Sequence, residues 1–426
     1  MKVVILNTAE NKGGAAIAAN RLMHALRKKD IEAKMLVRDK TSDEEYIISV
    51  SEGFFCRKKN IICFLWERLV IFFYNKFNKK DLFRVSIANI GNNLSQHSII
   101  KDADIIHLHW INHGFLSLTD IQKILSLGKP VVWTMHDMWA CTGICHHSRD
   151  CNNFQEKCGY CFFLNSKNKK DLSAKTWQKK QQMLQYGSCY FVTCSNWLRG
   201  KAVESSLLKE KNIIAIPNPI NTDIFNVFAQ NETRTELGLP TDKKLLLFGA
   251  FNITDERKGI HYLISGLKFI QFHYPEIHKN IELVVFGQVK SEIQSLLNVP
   301  IRSMGYLHED EKIAKLYNAV DLFVTSSLEE NLPNTIMEAM SCGTPCVGFD
   351  IGGIPEMIDH KENGYVAKYK SAEDLADGIV WVLNNENQAM LSQKARDKVL
   401  NTYSQQQVAN QYITLYNSIL RANKNE

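Results

Sequence analysis

Several hallmarks of disordered, fibrous and membrane-spanning proteins are missing from this 426-residue sequence. It has only 9 prolines and 22 glycines, with no low-complexity tract and no internal repeat, which excludes a collagen-like or disordered chain. No apolar run reaches the roughly 18 residues that a spanning helix needs. The nearest candidate, residues 61–77, is interrupted by Glu67 and Arg68. We therefore expect a globular protein of two or three domains.

The first residues also lack the pattern of a secretory signal. A short apolar run, Val3–Leu6, starts almost at once and ends at Asn7, whereas a signal peptide carries an apolar core of roughly 7–15 residues. The run predicts a buried strand instead. We therefore expect a cytoplasmic protein whose 11 cysteines are mostly reduced.

Negative charge is scarce in the first half of the chain and abundant in the second. The formal net charge is only +6. Up to Ile216 the sequence has 32 Lys and Arg against 19 Asp and Glu, a net charge of +13. The remainder has 19 Lys and Arg against 26 Asp and Glu, a net charge of −7. The acidic second half argues against a nucleic-acid partner.

Short apolar runs alternate with helical patterns along the whole chain, which predicts α/β domains with doubly wound parallel sheets. The predicted strands are Val3–Leu6, Ala33–Val37, 105–109, 130–134, 191–194, 213–216, Lys244–Phe248, Leu283–Phe286, Leu322–Thr325 and Pro345–Phe349. The predicted helices are Ala15–Leu26, Thr119–Leu127, Trp197–Ser205, Gly259–Gln271, Glu309–Asn318, Thr335–Ser341, Ala372–Leu383 and Ser404–Arg421.

This order of elements predicts two Rossmann-like domains, residues 1–216 and 217–403, that meet at Pro217-Asn218-Pro219. A last helix over residues 404–426 could return to the first domain. Ligands of parallel α/β sheets bind beyond the carboxyl ends of the strands, so we expect the site in a central cleft that the two domains face.

The most informative segment follows the predicted strand Leu322–Thr325 and opens a helix. It contains a glutamate in the loop, Glu330, and a second one eight residues later in the helix, Glu338. The backbone N–H groups and the dipole of a helix start favour a diphosphate, and a carboxylate suits the vicinal hydroxyls of a ribose or sugar. On spacing alone, a solvated pair of glutamates remains the alternative. The residues around the helix start are Leu332, Pro333, Asn334 and Thr335.

Two adjacent cations, Arg257 and Lys258, follow the predicted strand Lys244–Phe248 and precede a helix. Positive charge at the end of a strand can neutralise a leaving diphosphate. A solvated basic turn is an equally good interpretation of this segment by itself.

Two features of the first half also lie at strand ends. Gly13 and Gly14 follow the first strand and let the backbone approach a ligand at a helix start, although a tight turn without a ligand fits the same residues. His136 ends the strand that starts at Pro130. A single histidine in such a place is more often structural than catalytic.

Taken together, these motifs resemble the retaining nucleotide-sugar glycosyltransferases of group 1 (family 4), which have the two-domain GT-B fold. The resemblance covers essentially the whole chain. Besides the segments above it includes the hinge-side run Ile216–Phe225, the segment Gly352-Gly353-Ile354-Pro355-Glu356, and Asn363-Gly364. The sequence departs from the common family pattern at Gly249-Ala250, where Arg usually follows Gly, and at Asn331, where Gly is usual.

The resemblance implies a role for each of these residues. Arg257 and Lys258 would hold the donor diphosphate, Glu338 the ribose, and Glu330 the donor sugar, while His136 would reach that sugar from the other domain. Lys258, Glu330 and His136 would therefore be the catalytic residues, and Gly13, Gly14 and residues 332–335 would complete the donor site. Arg257 would take the place of the arginine that is usual in the family after Gly249, where this chain has Ala250.

The resemblance also implies the chemistry and the partners. The donor would be a nucleotide-diphosphate sugar and the acceptor a saccharide, often lipid-linked, of bacterial-type surface polysaccharide biosynthesis. Transfer would retain the anomeric configuration without a protein nucleophile, a catalytic metal or another cofactor. An epimerase or phosphorylase of the same fold and a non-catalytic nucleotide-sugar-binding protein are the alternatives.

Five cysteines crowd into residues 141–161, directly after His136. A Cys-x2-Cys end with further cysteines upstream is typical of structural zinc. Similar runs in some members of the resembled group favour Cys145, Cys151, Cys158 and Cys161 as the four ligands. Reduced thiols packed in a loop, and disulfides formed on oxidation, are the alternatives.

Residues 54–84 combine eight Lys and Arg with two Asp and Glu and several aromatic side chains. A basic amphipathic segment of this kind can lie on an anionic membrane surface. It can equally be a helix that packs its apolar face on the first domain. The lipid-linked acceptors of many members of the resembled group favour the membrane, with the protein peripheral at the inner face of the cytoplasmic membrane.

Overall fold

The computed structural model describes residues 1–51, 53–165, 168–252, 255–288, 295–307 and 309–425. The chain divides into two compact units. Unit 1 consists of residues 1–219 and 408–426, and unit 2 consists of residues 220–407. The boundary predicted from the sequence, between residues 216 and 217, lies three residues before the one between 219 and 220.

Unit 1 is built on a parallel sheet with the order β3-β2-β1-β4-β5-β6-β7. Its strands are β1 (Lys2–Ala9), β2 (Glu32–Asp39), β3 (Ile47–Ser49), β4 (Ile105–Leu108), β5 (Val131–Met135), β6 (Cys189–Thr193) and β7 (Ile213–Ala215). Its helices are α1 (Gly14–Arg27), α2 (Phe54–Tyr74), α3 (Ser98–Asp102), α4 (Leu118–Leu125), α5 (Leu172–Met183) and α6 (Asn196–Glu204), with short 3-10 turns at Trp139–Cys141 and Asn153–Gln155.

Unit 2 contains a second parallel sheet with the order β10-β9-β8-β11-β12-β13. Its strands are β8 (Lys244–Asn252), β9 (Ile281–Gln288), β10 (Ile301–Ser303), β11 (Leu322–Thr325), β12 (Cys346–Phe349) and β13 (Gly364–Ala367). Its helices are α7 (Gln230–Glu236), α8 (Ile260–His273), α9 (Pro275–His278), α10 (Asp310–Ala319), α11 (Asn334–Ser341), α12 (Ile354–Met357), α13 (Ala372–Leu383) and α14 (Gln388–Thr402), with a 3-10 turn at Glu256–Lys258. The last helix, α15 (Gln405–Asn425), starts in unit 2 and continues in unit 1 from Val408.

The sheet of unit 1 is apolar on both faces, as a doubly wound sheet must be. Alternate residues of β1 enter different cores: Val4 and Leu6 belong to one cluster, and Val3 and Ile5 to the other. Helix α15 covers the second face, because its apolar residues pack with those of α1 and β1; they are Val408, Ala409, Tyr412, Tyr416 and Ile419.

Helix α15 is also tied to this sheet by buried hydrogen bonds. The Tyr416 hydroxyl lies 2.7 Å from Nδ1 of His107 on β4, and the Tyr412 hydroxyl lies 2.8 Å from Oγ1 of Thr134 on β5. His107 Nε2 and Thr134 Oγ1 are in turn 2.7 Å apart. These contacts satisfy the polar groups that the sheet buries. The carboxyl-terminal helix therefore completes the core of unit 1.

Each sheet reverses its strand order once, and that reversal marks where a ligand binds in open α/β sheets. In unit 1 the reversal lies between β1 and β4, and in unit 2 between β8 and β11. The segments that carry Gly13 and those that carry Lys258 and Glu330 therefore leave the two sheets at the expected positions.

The α/β prediction with two doubly wound parallel sheets is confirmed. The strands that the sequence did not reveal, β3, β10 and β13, are edge strands of three or four residues. Their apolar runs are too short to stand out as periodic patterns. Residues 253 and 254, which belong to the predicted cation-bearing loop, lie outside the described residues.

Helix α2 is the element whose packing differs most from the ordinary arrangement. Its buried residues are mainly polar, namely Asn60, Cys63, Glu67, Arg68 and Ile71, whereas most of its large apolar side chains are exposed. The exposed set is Phe54, Phe55, Ile61, Ile62, Leu65, Trp66, Leu69, Phe73 and Tyr74. The interpretation in which α2 packs its apolar face on the first domain is therefore wrong for this structure.

Two charged residues hold α2 in this orientation. One oxygen of the Glu67 carboxylate accepts hydrogen bonds from the Ser86 hydroxyl (2.5 Å) and from the backbone N–H groups of Ile87 and Ala88 (both 2.8 Å). Arg68 donates to the carbonyl of Val85 at 2.9 Å and pairs with Glu67 at 2.9 Å. A buried pair is favourable only when such hydrogen bonds surround it. No helix among the described residues is long and apolar enough to span a membrane.

Candidate functional site

The candidate donor site of unit 2 lies where its strand order reverses, between β8 and β11. The 3-10 turn after β8 carries Arg257 and Lys258, and the loop after β11 carries Glu330. Since β8 and β11 are hydrogen-bonded neighbours, their carboxyl ends are adjacent. The structure thus brings together two of the segments that the sequence singled out.

Lys258 and Glu330 form the central contact of this site. The Lys258 ammonium donates to Oε1 of Glu330 at 2.5 Å, although the two residues are 72 positions apart. The Lys258 side chain is 33% exposed and the Glu330 side chain 15%. Because an ammonium has three donors, Lys258 keeps bonding capacity for an anion beside Glu330.

Backbone contacts fix the two loops against each other. The Ser326 hydroxyl lies 3.0 Å from the carbonyl of Lys258 and 2.9 Å from that of Gly259, and the Leu328 N–H donates to the Arg257 carbonyl at 2.7 Å. Gly259 has a φ of 59°, and a Cβ there would stand 2.1 Å from the carbonyl oxygen of Ser326. Only glycine permits this approach, so it sets the position of Lys258.

A second glycine supports the other side of the Glu330 loop. Gly352 has a φ of 61°, and a Cβ there would stand 2.0 Å from the Glu330 carbonyl oxygen. The N–H of Gly353 donates to the Asn331 carbonyl at 2.6 Å. The segment that starts at Gly352 therefore holds the loop in which Asn331 replaces the usual glycine of the family.

Helix α11 begins directly after this loop. Pro333 is its cap residue and has no side-chain acceptor with which to satisfy the first N–H groups. Leu332 and Pro333 are buried, while Asn334 and Thr335 are partly exposed. A helix start with this composition suits an anion that accepts from the backbone.

Glu338 lies one turn into α11 and is 7% exposed. Its Oε2 accepts a hydrogen bond from the hydroxyl of Tyr317 on α10, at 3.3 Å. Burial, followed by the charge of Glu338, raises the pKa of the Tyr317 phenol well above its usual value, so this hydroxyl stays protonated and donates. No sequence pattern indicates Tyr317, which lies 21 residues before Glu338.

Arg257 faces a carboxylate of its own turn. Its Nη2 lies 2.6 Å from Oδ2 of Asp255, and its side chain is 39% exposed. Of the two predicted cations, Lys258 is therefore the one paired with Glu330, whereas the charge of Arg257 is balanced by Asp255.

In unit 1, Gly13 and Gly14 lie after β1, at the reversal of the strand order. Gly13 caps α1 with a φ of 94°, and its carbonyl accepts from the Ile17 N–H at 3.1 Å. Both glycines are exposed, and a Cβ at Gly13 would meet nothing within 4 Å. The space around Gly13 is therefore open, and its positive φ favours glycine at this position.

His136 follows β5 and is held by two neighbours in unit 1. Its Nε2 lies 2.9 Å from Nδ1 of His109, which follows β4, and its Nδ1 lies 3.4 Å from Sγ of Cys194. Burial lowers the pKa of His136 to about 4 and that of His107 to about 3, so both imidazoles are neutral near pH 7. The alternation His107-x-His109 along the chain was the available signal for this cluster.

Asp137 links the loops after β4 and β5. Its Oδ2 accepts from Nε1 of Trp110 at 3.0 Å and lies 2.7 Å from Nδ1 of His146, and its Oδ1 accepts from the N–H of Trp139 at 2.8 Å. Burial raises the pKa of this carboxyl, but His146, the Trp139 N–H and His147 together more than compensate and hold the pKa at about 2. Asp137 therefore stays ionised and fixes the surroundings of His136.

The four cysteines predicted as zinc ligands lie in unit 1 as free thiols. Cys145 and Cys161 are buried, while Cys151 and Cys158 are partly exposed. The Cys158 sulfur accepts from the N–H of Gly143 at 3.1 Å. Within the described ranges, no group of three or more His, Cys, Asp or Glu is arranged to hold a metal. The structure does not assemble these cysteines into a ligand set, and zinc binding stays a prediction.

An Asp-x-Asp sequence of the kind that binds divalent cations occurs at Asp102-Ala103-Asp104, just before β4. Asp102 pairs with the Lys2 ammonium at 2.8 Å, and Asp104 accepts from the Lys2 N–H at 2.7 Å. These carboxylates lie at the amino ends of β1 and β4, the end of the sheet opposite to Gly13 and His136. They brace the first strand and are remote from the strand ends where a ligand binds.

Both halves of the chain match known families. Residues 12–224 match the family described as "Glycosyltransferase Family 4", and residues 242–385 match the family described as "Glycosyl transferases group 1". The first match alone covers half of the chain, and the second contains Lys258, Glu330 and Glu338.

Individual proteins agree with these families. N-acetyl-alpha-D-glucosaminyl L-malate synthase of Bacillus anthracis is 26% identical over 53% of this chain and 60% of its own length, so the match spans less than two thirds of that relative. Sucrose-phosphate synthase from Thermosynechococcus elongatus has the same fold, with a TM-score of 0.67 and 17% identity over 99% of this chain and all of that one. Anabaena HepE in complex with UDP-glucose gives a TM-score of 0.62 and 14% identity over 98% of this chain and all of HepE.

The order of motifs, the two parallel sheets and the family matches lead to one conclusion. The fold is GT-B, with two Rossmann-like sheets, and the donor class of such enzymes is a nucleotide sugar. The chain belongs to the group 1 (family 4) glycosyltransferases.

Proposed function

We propose that this glycosyltransferase moves a sugar from a nucleotide-diphosphate donor to a saccharide, carried on a lipid, with retention of the anomeric configuration and without a catalytic metal. The single observation that supports this most strongly is the contact between Lys258 and Glu330 at the strand-order reversal of unit 2. It places a cation and a carboxylate together where α/β sheets bind their ligands.

The donor site that we propose uses the two loops and the helix start together. The diphosphate accepts hydrogen bonds from the Lys258 ammonium and from backbone N–H groups at the start of α11. Arg257 adds positive charge from the neighbouring turn. Glu338, held by Tyr317, accepts from the ribose hydroxyls, and Glu330 accepts from hydroxyls of the donor sugar. HepE binds UDP-glucose, so UDP-sugars are the first donors to test.

The proposed reaction needs no covalent intermediate with the protein. The bond between the anomeric carbon and the diphosphate oxygen breaks, and its electron pair goes to the diphosphate. The acceptor hydroxyl oxygen bonds to the anomeric carbon on the same face and gives its proton to the departing phosphate oxygen. Lys258 and the α11 start stabilise the negative charge that develops, which is the largest protein contribution in reactions of this type.

In this proposal a lysine and a helix start take the place of a divalent cation. The ammonium at 2.5 Å from Glu330 is already positioned before the donor arrives, so little reorganisation accompanies charge development. His136, which burial keeps neutral, contacts the sugar as a hydrogen-bonding group.

A lipid-linked acceptor is supported by the surface of α2. Its exposed aromatic and aliphatic side chains include Phe55, of which 84% is exposed, and Trp66, of which 50% is exposed. A large apolar face of this kind, flanked by Arg57, Lys58 and Lys59, fits the headgroup region of an anionic membrane. We propose that α2 holds the enzyme at the inner face of the cytoplasmic membrane, as a peripheral protein.

A flotation experiment tests the membrane proposal. The full-length protein should float with vesicles that contain phosphatidylglycerol, and Phe55→Ser with Trp66→Ser should reduce the floated fraction several-fold. Phe272→Ser is the matched control, because Phe272 is 82% exposed but lies on α8 of unit 2. Equal flotation of the α2 variant and the control, or no flotation of the native protein, would contradict the proposal.

Transfer itself is tested by incubation with UDP-, GDP- and ADP-sugars and lipid-linked or free saccharides, with and without a chelator. The proposal predicts a new glycosidic bond that keeps the anomeric configuration of the donor, by NMR, at a rate that the chelator leaves unchanged. Interconversion of donor sugars without acceptor would indicate an epimerase instead. Donor binding with neither reaction would indicate a non-catalytic binding protein.

We place the reaction in bacterial-type surface polysaccharide synthesis, which follows from the resemblance and from the proposed lipid-linked acceptor. Disruption of the gene in its host should remove or shorten a capsule, exopolysaccharide or lipopolysaccharide, and the native gene should restore it. An unchanged surface polysaccharide profile would place the enzyme in another pathway.

A further inference from the structure

A polar cavity of about 810 Å3 opens in unit 1, beside the basic and apolar helix α2. This volume lies in the range of roughly 300–1,000 Å3 that is usual for small-molecule sites. Its walls come from the carboxyl end of β2, from the loop that follows, from β3 and from the first turns of α2. The donor site described above makes no use of it, and it shares only Arg57 and Ile61 with the surface of α2 described above.

The cavity lies on the ligand-binding side of the sheet. The order β3-β2-β1-β4 puts β2 next to β1, whose following segment carries Gly13. Neighbouring strands are about 5 Å apart, so the cavity begins about one strand spacing from the reversal point. Glu10, after β1, accepts from the N–H groups of Thr41 (2.5 Å) and Ser42 (3.0 Å), which joins the cavity wall to the Gly13 segment.

The floor of the cavity is a fixed polar network. The amide of Asn60, which is 6% exposed, donates to the Ser51 hydroxyl at 2.5 Å and accepts from the Asn92 amide at 2.8 Å. The Ser51 hydroxyl donates to the Arg38 carbonyl at 2.6 Å. Arg38 itself pairs with Asp39 through contacts of 2.9 and 2.6 Å. Its charge is thus balanced, and the network gives the cavity a defined shape.

Two charged residues on the rim of the cavity, unlike the polar residues of its floor, are not paired with each other or with a neighbour among the residues that the structure describes. Asp43 and Arg57 are exposed, and within the described part of the chain neither side chain has a hydrogen-bond or ion-pair partner. The Asp43 carboxylate can accept several hydrogen bonds, and the Arg57 guanidinium can donate several. Phe64 adds an apolar ring to the same wall.

This combination matches a saccharide. Carboxylates and guanidinium groups bond to vicinal hydroxyls, and an aromatic ring covers the apolar C–H face of a sugar. A free anion would meet Asp39 and Asp43 along with the cations, so the mixed charges favour a neutral, polyhydroxylated ligand. The length from β3 to β1, about two strand spacings, gives room for more than the reacting sugar.

We propose that this cavity binds the non-reacting sugars of the acceptor saccharide, with Asp43 and Arg57 as the groups that recognise them. The inference rests on the proposed function, since it names the site of the acceptor in that reaction. An acceptor held here by its saccharide would have its lipid beside α2, whose outer face is apolar.

Saturation-transfer NMR tests the inference on the full-length protein without any donor. The probes are free chitotriose, maltotriose, cellotriose and mannotriose at millimolar concentration. We expect transfer to at least one of them and a loss of affinity of about tenfold or more in Asp43→Ala with Arg57→Ala, because hydrogen bonds to charged groups are removed. Both residues are exposed, so the variant should keep the native fold.

Glu45→Ala with Lys101→Ala is the matched control, since these exposed residues of unit 1 lie outside the cavity. It should bind the same saccharide with unchanged affinity. Unchanged binding in the cavity variant, or no saturation transfer from the native protein to any of the four probes, would overturn the inference. Donor hydrolysis by the same samples is measured separately, so that failure of this site and failure of the proposed function give different results.

Discussion

The two sheets have the same parallel, doubly wound architecture, but their strand-order reversals carry opposite chemistry. In unit 2 the reversal is lined by fixed charges, with Lys258 2.5 Å from Glu330. In unit 1, His109 follows β4 at the reversal and His136 follows the neighbouring strand β5, and burial lowers the pKa of His136 to about 4. One sheet therefore offers an ion pair at its reversal, and the other offers buried imidazole rings beside the ionised Asp137.

The difference shows how one fold can divide the labour of a transfer reaction. In the proposed reaction the diphosphate is bound by the positive charge of Lys258 and by the start of α11. In the same proposal His136, which is neutral, hydrogen-bonds to the sugar without repelling or attracting the diphosphate. The topology fixes where the ligands bind, and the side chains at the strand ends decide which part of them binds there.

The largest effect should come from the charge in unit 2. In the proposed reaction Lys258 stabilises the departing diphosphate, so we expect Lys258→Ala to lower kcat by about 10²–10³-fold. Steady-state transfer measured with the preferred nucleotide sugar checks this. Lys268→Ala is the control, because Lys268 is exposed on the following helix α8. A Lys258→Ala enzyme as active as this control would show that the charge of Lys258 does not contribute to transfer.

The next largest effect should be a loss of stability of unit 1 at acidic pH. Burial lowers the pKa of His107 to about 3, below the roughly 6.5 of an unfolded chain, so the unfolded state binds more protons across this window. The free energy of unfolding should therefore fall with falling pH, by about 2 kcal/mol for this one imidazole between pH 6.5 and 5. Buried His113, with a pKa of about 3, adds to the same slope.

Urea unfolding followed by tryptophan fluorescence measures this slope. Tryptophan residues 66, 110, 133, 139, 177 and 197 lie in unit 1, and a Trp381→Phe variant silences the signal from unit 2. His107→Asn in that background should flatten the dependence between pH 6.5 and 5. Equal slopes with and without His107 would show that this imidazole is not held neutral by the fold.

Donor affinity should respond more modestly to Glu338. Glu338→Gln keeps the shape of the side chain but weakens its hydrogen bonds to hydroxyls, so we expect KM for the donor to rise about tenfold with a smaller change in kcat. Glu373→Gln, at an exposed position of α13, should leave both constants unchanged. A fall in kcat at constant KM would instead assign Glu338 to the transition state.

The smallest expected effect is at Tyr317. Its hydroxyl only orients Glu338, at 3.3 Å, so Tyr317→Phe should raise the donor KM by about two- to fivefold. The effect should disappear in the Glu338→Gln background, because a residue that acts through Glu338 cannot act without it. Additive effects in the double variant would show that Tyr317 does not act through Glu338.

Much of this arrangement could be predicted from the sequence. Strand-end motifs placed Lys258 and Glu330 in neighbouring loops, and the structure joins them although they are 72 residues apart. This succeeded because parallel strands bring their carboxyl ends to one edge of the sheet. Tyr317 could not be predicted, since its contact with Glu338 depends on how α10 packs on α11 and leaves no local pattern.

Helix α2 shows more clearly what a sequence pattern does not predict. A helical period identifies an amphipathic segment, but it does not tell which face the protein buries. Here Glu67 and Arg68 find partners in residues 82–88, and these long-range hydrogen bonds decide the orientation. The clustered cysteines are a similar case, because spacing alone cannot show whether four sulfurs converge.

Direct titration with UDP, GDP and ADP tests the central claim, that the donor binds at the strand-order reversal of unit 2. One of the three nucleotides should bind the native protein, and Lys258→Ala with Glu338→Gln should weaken it by about 10²-fold or more. Lys268→Ala with Glu373→Gln should bind like the native protein. Equal affinity of the site variant and the native protein, or no binding of any of the three, would contradict the account.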